Sequence, residues 1–457
     1  MTTSRTHRSA EEIGRTLTGP RPLPELAAQG VAVEPNMVDT VLANGLRVLA
    51  VRHARVPLVE LRLRIPFAGS DALHCATAEL LAETLLAGTQ TRDRIAMDTD
   101  LALIGGELST GVDPERLAIS GSALSEGLPR LLEVLADSLT AAAYHPEEIE
   151  RERARLIERL AVARSQPGVL AREALQKHRY GDHPAAREVP EVADVAAVPS
   201  PAVAALHAGH VVPRGAVLVL VGDIDPESAL TTVESALRSW HSDTATHRLP
   251  ALPKVSGGDL ALVHRAGAVQ SALRLTAQAV PRTDERYPAL QLANLAYGGF
   301  FSSRLVENIR EDKGYTYHAR SSLELREDAG TVLVDTDTAS EVTAAALLEI
   351  RYECKRMAVL PPTQSEVDTV RRYVIGSLLT STATQSGYAS QLAGLAEVGL
   401  GADWLREHPV RLESVSVEQV AAAAAEFFDP AAFTGIVLGD RELIGPSLRA
   451  LGGVAAQ

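Results

Sequence analysis

Hydrophobic and polar positions follow the same succession of patterns in the two halves of the chain. Residues 59–65 (Val-Glu-Leu-Arg-Leu-Arg-Ile) and 271–277 (Ser-Ala-Leu-Arg-Leu-Thr-Ala) alternate, which is typical of a half-buried strand. After a turn, each is followed by an apolar helical stretch, at 76–87 in the first half and at 288–297 in the second. Because the same succession occurs twice, the pattern predicts an internal duplication.

The ends of the two halves repeat as well. Pro213 precedes an apolar run that ends in Gly-Asp at 222–223, and Pro430 precedes a run that ends in Gly-Asp at 439–440. Strands and helices mix in each half without strict βαβ alternation, which favours α+β layers over a parallel sheet. The sequence therefore predicts an α+β fold made of two homologous α+β domains.

The middle of the chain separates these two halves. Residues 241–258 are polar and rich in Pro and Gly, as in an interdomain linker. We therefore predict a polar N-terminal extension at 1–35, a first domain at 36–240, the linker, and a second domain at 259–457.

Composition excludes several classes of function. The chain has 457 residues and a formal net charge of −14 at pH 7, which argues against nucleic acid as the main partner. No apolar run approaches the roughly 20 residues needed to span a bilayer. The opening residues lack the apolar core of a secretory signal, so we expect a cytoplasmic protein without a membrane partner. Early Arg and Ser residues would also fit a mitochondrial transit peptide, which Glu11 and Glu12 disfavour.

A helical segment in the first half has the residue spacing of a metal-binding motif. Residues 79–89 (Glu-Leu-Leu-Ala-Glu-Thr-Leu-Leu-Ala-Gly-Thr) form an apolar run that ends in Gly-Thr. The segment resembles the inverted zinc motif of the M16 peptidases (pitrilysin, insulin-degrading and mitochondrial-processing enzymes), His-x-x-Glu-His followed by a short apolar run and Gly-Thr. Aligned on Gly-Thr, the two His positions fall on Glu79 and Glu83 and the catalytic Glu on Ala82. Zn²⁺ hydrolysis needs the imidazoles and the general base, so the resemblance implies a peptidase fold that cannot itself cut.

The third zinc ligand of that family is a Glu on a long charged helix. Its position falls on Arg159 here, and a shift of one residue would place it on Glu158. The resemblance therefore implies no metal in this chain. Glu79, Glu83 and Glu158 could alternatively form a Mg²⁺ or Ca²⁺ site, or could be polar residues that line a chamber or pair with Arg159. Carboxylate sites normally need more oxygen ligands, which favours the last interpretation.

Two further segments of the first half resemble family elements. The family holds substrate by adding it as a strand to an exposed edge, a Gly-Gly-x-x-Asn-Ala segment. Residues 105–110 (Gly-Gly-Glu-Leu-Ser-Thr) keep the glycines but replace Asn-Ala, so we expect a strand there. His183 stands before Pro184, and we interpret it as a residue that fixes a loop.

The second half keeps a motif that carries chemistry. Residues 301–317 (Phe-Ser-Ser-Arg-Leu-Val-Glu-Asn-Ile-Arg-Glu-Asp-Lys-Gly-Tyr-Thr-Tyr) resemble the family run Ser-Ser-Arg-Leu-x₄-Arg-Glu-x₂-Gly-x₂-Tyr. Arg310 and Tyr317 match the pair that reaches from the second domain to the substrate carbonyl. A guanidinium and a phenol can both donate to a developing oxyanion. The alternative is a structural salt bridge for Arg310 and a core position for Tyr317.

Loss of the zinc set with retention of the Arg/Tyr pair resembles the division of labour in heterodimeric bacterial M16B peptidases. This resemblance implies a non-catalytic, substrate-anchoring subunit whose partner is a homologous M16B subunit with His-x-x-Glu-His. Zn²⁺ is then expected in the partner, and the substrate is a peptide, with leader-peptide removal as one role. The alternatives are a non-enzymatic peptide-binding or scaffold protein of the same fold, and a homodimer with an unusual metal.

Overall fold

Two six-stranded sheets, one from each half of the chain, organise the molecule, which is described for residues 35–456 in a computed structural model. The first sheet contains β1 (Met37–Val41), β2 (Arg47–Arg52), β3 (Leu58–Pro66), β4 (Glu107–Val112), β5 (Arg116–Leu124) and β6 (Val217–Gly222). The second contains β7 (Leu260–His264), β8 (Gln270–Ala279), β9 (Ala319–Leu325), β10 (Gly330–Ala339), β11 (Thr434–Gly439) and β12 (Val454–Ala456). Apart from Pro35, the extension predicted at 1–35 lies outside the described residues.

The spatial order of the strands confirms the predicted duplication. The orders are β1-β2-β6-β3-β5-β4 and β12-β7-β11-β8-β10-β9, so five positions correspond. In both sheets the last long strand of the half, β6 or β11, lies parallel to β2 or β7 and antiparallel to β3 or β8. Every residue of β6 and β11 is buried, which explains why both read as continuous apolar runs.

Helices cover the sheets in both halves, which confirms the α+β class. The first half contains α1 (His74–Thr84), α2 (Arg94–Leu103), α3 (Leu128–Ala141), α4 (Pro146–Ala163), α5 (Pro167–Tyr180), α6 (Val192–Ala197), α7 (Ser200–His210) and α8 (Pro226–Ala236). The second half contains α9 (Tyr287–Asn294), α10 (Arg304–Val306), α11 (Thr343–Val359), α12 (Gln364–Ser381), α13 (Gln385–Ala396), α14 (Ala402–Ser414), α15 (Val417–Phe427) and α16 (Arg441–Leu451). Two π-helical segments, Leu295–Gly299 and Glu307–Asp312, follow α9 and α10. In the part of the chain that the structure describes, no helix combines the length and the apolar character needed to cross a membrane.

One helix of each half packs against the sheet of the other half. The second-half helix α13 covers β2, β3 and β6, where Leu392 packs in one cluster with Leu49 and Val219. The first-half helix α5 covers β8 and β11, where Leu175 packs in one cluster with Leu438. The face of each sheet that turns away from its own main core is therefore covered by the other half, and the two halves form one compact unit.

The alternation predicted for β3 is confirmed, but its polar face is covered by protein. Arg62 donates to Ser386 Oγ on α13 at 2.8 Å and forms an ion pair with Glu60 at 2.8 Å. Arg64 pairs with Glu397, just beyond the end of α13, at 2.9 Å. The arginines that looked like solvent-facing positions in the sequence therefore hold α13 against the first sheet.

Candidate functional site

The helix α1 carries the degenerate metal positions, and it begins two residues before the predicted start. Its apolar residues pack into the first core, so Ala82 is buried, with 3% of its surface exposed. The carbonyl of Ala82 accepts a hydrogen bond from Thr110 Oγ1 at 2.6 Å, which fixes β4 beside the helix. Glu79 and Glu83 lie one turn apart on a half-buried face of α1.

An ion pair joins the zinc-type positions of α1 and α4. Arg159 Nη2 lies 2.6 Å from Glu83 Oε1 and donates a hydrogen bond to it. Glu158, the alternative third position, is exposed and forms no ion pair with another residue of the described range 35–456. Of the interpretations left open by the sequence, the pairing with Arg159 is therefore the arrangement that the structure contains.

The charges at this site do not fit a zinc ion. Two carboxylates beside a guanidinium offer neither the nitrogen nor the sulfur ligands that Zn²⁺ prefers, and the guanidinium repels a cation. Among residues 35–456, no group of three or more His, Cys, Asp or Glu side chains is arranged to hold a metal. The carboxylate cluster of Glu79, Glu83 and Glu158 therefore does not form in the described residues.

Burial gives Glu79 unusual acid–base behaviour. Burial, followed by the neighbouring charge of Glu83, raises the pKa of Glu79 to about 7, although Arg159 opposes the shift. Burial and the charge of Glu79 also raise the pKa of Cys75 to about 12. The site therefore consists of the half-buried carboxyl group of Glu79 beside the Glu83–Arg159 ion pair. The thiol of Cys75, one turn away, is unreactive because its pKa is raised.

The second candidate element, residues 301–317, is held in place by Arg304. Its Nε and Nη2 atoms donate to Glu366 at 2.7 and 3.0 Å, and its Nη1 atom donates to the carbonyl of Leu360 at 2.6 Å. Burial alone would raise the pKa of Glu366, but the bonds from Arg304 and Thr363 outweigh it and lower that pKa to about 2. Arg304 is therefore a scaffold residue that sequence reasoning missed.

Asn308 anchors the same segment to α11. Its amide nitrogen donates to Glu349 at 3.0 Å and to Glu353 at 2.7 Å, and its oxygen accepts a hydrogen bond from Lys313 at 2.8 Å. The segment therefore has one side that is tied to the core by hydrogen bonds. π-Helical turns such as Glu307–Asp312 occur frequently at functional sites.

Arg310 and Tyr317 are more accessible than Arg304 and Asn308, and 35% of the Arg310 side chain is exposed. The Arg310 guanidinium carbon lies 4.8 Å from the centre of the Phe301 ring, and Nε lies 3.3 Å from Glu311. Within residues 35–456, the two Nη atoms of Arg310 have no hydrogen-bond acceptor. Tyr317 is 98% exposed and precedes β9 by two residues, so the alternative of a core aromatic in a strand is wrong.

The predicted strand at 105–110 is present, but it begins at Glu107 as β4. It lies at the edge of the first sheet, and among residues 35–456 it pairs only with β5, so no described strand occupies its other side. The corresponding strand β9 lies at the edge of the second sheet. Both edges therefore offer main-chain donors and acceptors that could pair with an extended peptide.

His183 and the two cysteines have structural environments. His183 Nδ1 accepts a hydrogen bond from the Ala185 N–H at 3.1 Å and caps the short turn Pro184–Ala186, which confirms its predicted loop-fixing role. Cys75 and Cys354 are free thiols, and Cys354 is buried.

Comparison with known proteins identifies the family. A family model described as "Insulinase (Peptidase family M16)" matches residues 76–191, and one described as "Peptidase M16 inactive domain" matches residues 200–374. Together the two matches span more than half of the chain.

Relatives and solved structures agree with these matches. An uncharacterized zinc protease of Mycobacterium tuberculosis (strain H37Rv) is 26% identical over 84% of this chain and 89% of its own length. One of Bacillus subtilis is 23% identical over 84% and 94%. The fold resembles the crystal structures of a peptidase M16 inactive domain from Pseudomonas fluorescens (TM-score 0.81, 22% identity, covering 89% of this chain and 98% of that one) and of a protease from Helicobacter pylori (TM-score 0.82, 18% identity, 89% and 100%). The chain belongs to the M16 peptidase family.

Proposed function

We propose that this chain is the non-catalytic, substrate-anchoring subunit of a heterodimeric zinc peptidase. One observation carries the proposal: within residues 35–456 the Nη atoms of Arg310 and the hydroxyl of Tyr317 have no acceptor, whereas the zinc-type positions hold the Glu83–Arg159 ion pair. The partner is a homologous M16B subunit that contains His-x-x-Glu-His and Zn²⁺. The two proteins together hydrolyse a peptide.

The exposure of the anchoring pair supports a role in a complex. A donor that must reach a carbonyl held by a second subunit has to be accessible on the isolated chain. Tyr317 is almost fully exposed and the Arg310 side chain is 35% exposed, and both side chains can donate to a carbonyl oxygen that gains negative charge during hydrolysis. Their contribution is orientation of the scissile bond and stabilisation of the oxyanion.

The chain alone lacks the groups for hydrolysis. Ala82 supplies no general base, and Glu79 and Glu83 supply no imidazole. The Glu83–Arg159 ion pair is compatible with a helix that keeps the family fold without the residues for zinc hydrolysis. Metal-dependent hydrolysis is therefore assigned to the partner.

A second candidate function is peptide binding without hydrolysis. The free edges of β4 and β9 favour it, because an extended peptide can add to either edge without a catalytic centre. Under this alternative the chain would bind peptides with the same affinity whether or not a partner is present.

The decisive experiment measures cleavage of a quenched fluorescent peptide library. This chain, a zinc-motif M16B homologue from the same organism, and their mixture are each assayed with and without a chelator. We expect chelator-sensitive cleavage that requires both proteins. Cleavage by this chain alone would contradict the proposal, and partner-independent peptide binding without cleavage by the mixture would support the binding function instead.

Substitution of Arg310 tests its anchoring role in the active mixture. Removal of one oxyanion donor typically lowers kcat by about 10²- to 10³-fold, and we expect Arg310→Ala to act in that range. Arg238→Ala is the matched control, because Arg238 is exposed and follows α8 in the first half of the chain, outside both edge strands. Unchanged turnover with Arg310→Ala, together with normal assembly, would refute the assignment.

A further inference from the structure

We propose that Phe301 is a positioning residue for Arg310. Its ring holds the guanidinium in an outward orientation while the Nη donors stay free for the substrate. The inference rests on the proposed function, because it assigns a role to a neighbour of the anchoring pair.

The geometry is that of a cation–π contact. The Arg310 guanidinium carbon lies 4.8 Å from the centre of the Phe301 ring, inside the range of about 6 Å over which such contacts attract. The guanidinium carbon lies over the ring, and a phenyl ring offers no lone pair to the N–H groups. A phenyl ring therefore restrains the cation without accepting any of its hydrogen bonds.

Glu311 restrains the other end of the same group. It lies 3.3 Å from Nε of Arg310, so the closest contact of the carboxylate is with Nε and not with the two Nη atoms. The nearby Arg304 shows the opposite arrangement, because its Nη atoms donate to Glu366 and to main-chain carbonyls.

Packing does not account for the position of Phe301. Its side chain is 64% exposed, and within residues 35–456 the only cation or ring that stacks on it is Arg310. The preceding Phe300 has an ordinary packing role, since its ring lies 4.7 Å from that of Tyr373. The contact with Arg310 is therefore the simplest explanation for an exposed ring at position 301.

Orientation of Arg310 before the substrate arrives has a kinetic consequence. A long side chain that is already ordered loses less conformational freedom in the transition state. From the usual strength of cation–π contacts, loss of the ring should lower kcat by about 3- to 30-fold. KM should stay unchanged, because the Arg310 donors act mainly on the charge that develops during reaction.

The kinetic test uses the active mixture of this chain with its zinc-motif partner. We expect Phe301→Leu to lower kcat, Phe301→Tyr to restore it, and Phe301→Leu to have no further effect in an Arg310→Ala background. Tyr352→Leu, which removes an exposed aromatic from α11, is the matched control. A loss of kcat that persists in the Arg310→Ala background would overturn the inference, since Phe301 would then act independently of Arg310.

A second measurement needs no partner. In the full chain labelled with ¹⁵N-arginine, the side-chain Nε–Hε resonance of Arg310 is assigned by its loss in Arg310→Lys. The ring current of Phe301 should shift this resonance, and Phe301→Leu should move it. An unmoved resonance overturns the inference. If Arg310→Ala lowers turnover and Phe301→Leu does not, only the role of Phe301 is refuted. If neither variant changes turnover, the proposed function itself is refuted.

Discussion

Glu79 should make the stability of the fold depend on pH. Burial and the charge of Glu83 raise its pKa from 4.5 to about 7 in the folded chain. Because the folded state then binds the proton more tightly than the unfolded state, stability is lost as pH rises from about 4.5 to about 7. A shift of this size corresponds to about 3 kcal/mol, which is fully lost above that window.

The substitution Glu79→Gln removes the charge and keeps the size of the side chain. At pH 5.5 Glu79 is protonated in the folded wild type but mostly ionised in the unfolded chain. The unfolding free energy has therefore already fallen by about 1.4 kcal/mol at this pH. At pH 8 the full loss applies. The difference in unfolding free energy between variant and wild type should therefore move by about 2 kcal/mol in favour of the variant between the two pH values.

Urea denaturation followed by circular dichroism, at several values between pH 5 and pH 8.5, measures this difference. Glu158→Gln is the control, because Glu158 is exposed on the adjacent helix α4 and its replacement should give the same small effect at every pH. A Glu79→Gln effect that does not change with pH would show that the carboxyl group is not held near neutrality. If Glu79→Gln instead loses stability relative to wild type as the pH rises, the pKa of Glu79 is lowered and not raised by folding.

Three further predictions follow from the same contacts. Arg159→Ala should raise the pKa of Glu79 further, because it removes the cation that opposes the shift, and the pH window measured by urea denaturation should then move upward. Cys75 should react about fiftyfold more slowly with a disulfide reagent at pH 8 than an ordinary thiol, because its smaller thiolate fraction outweighs the higher nucleophilicity of that thiolate, and Glu79→Gln should speed the reaction. Arg304→Ala should lower the unfolding free energy by about 2 kcal/mol, because it removes the hydrogen bonds of a buried guanidinium to Glu366 and to the Leu360 carbonyl, whereas Arg320→Ala should change it by less than about 0.5 kcal/mol.

The sequence was sufficient to predict the duplicated architecture because the relevant signals are local. The buried strands β6 and β11 read as continuous apolar runs, and β3 and β8 were located from similarly local patterns. The exchange of α5 and α13 between the halves could not be predicted, because it depends on packing between segments far apart in the chain. For the same reason, the partners of Arg62 and Arg64 on and beside α13 were not foreseen.

The candidate site shows the same limit at the level of single residues. Arg304 and Arg310 belong to one run and have the same side chain, yet one is fixed by hydrogen bonds and the other is open. The difference arises from Glu366, which lies on a later helix and carries no signal at the position of the run. Exposure of Tyr317 likewise depends on how the loop before β9 leaves the sheet.

The Glu83–Arg159 ion pair also bears on how reversible the loss of the metal site is in evolution. Return of His at position 83 alone would leave Arg159 without its carboxylate and would place an imidazole next to a guanidinium. Return of Glu at position 159 alone would bring three carboxyl groups together without a counterion. Each single reversion therefore passes through a less favourable charge arrangement, so selection is expected to retain the pair once it has formed.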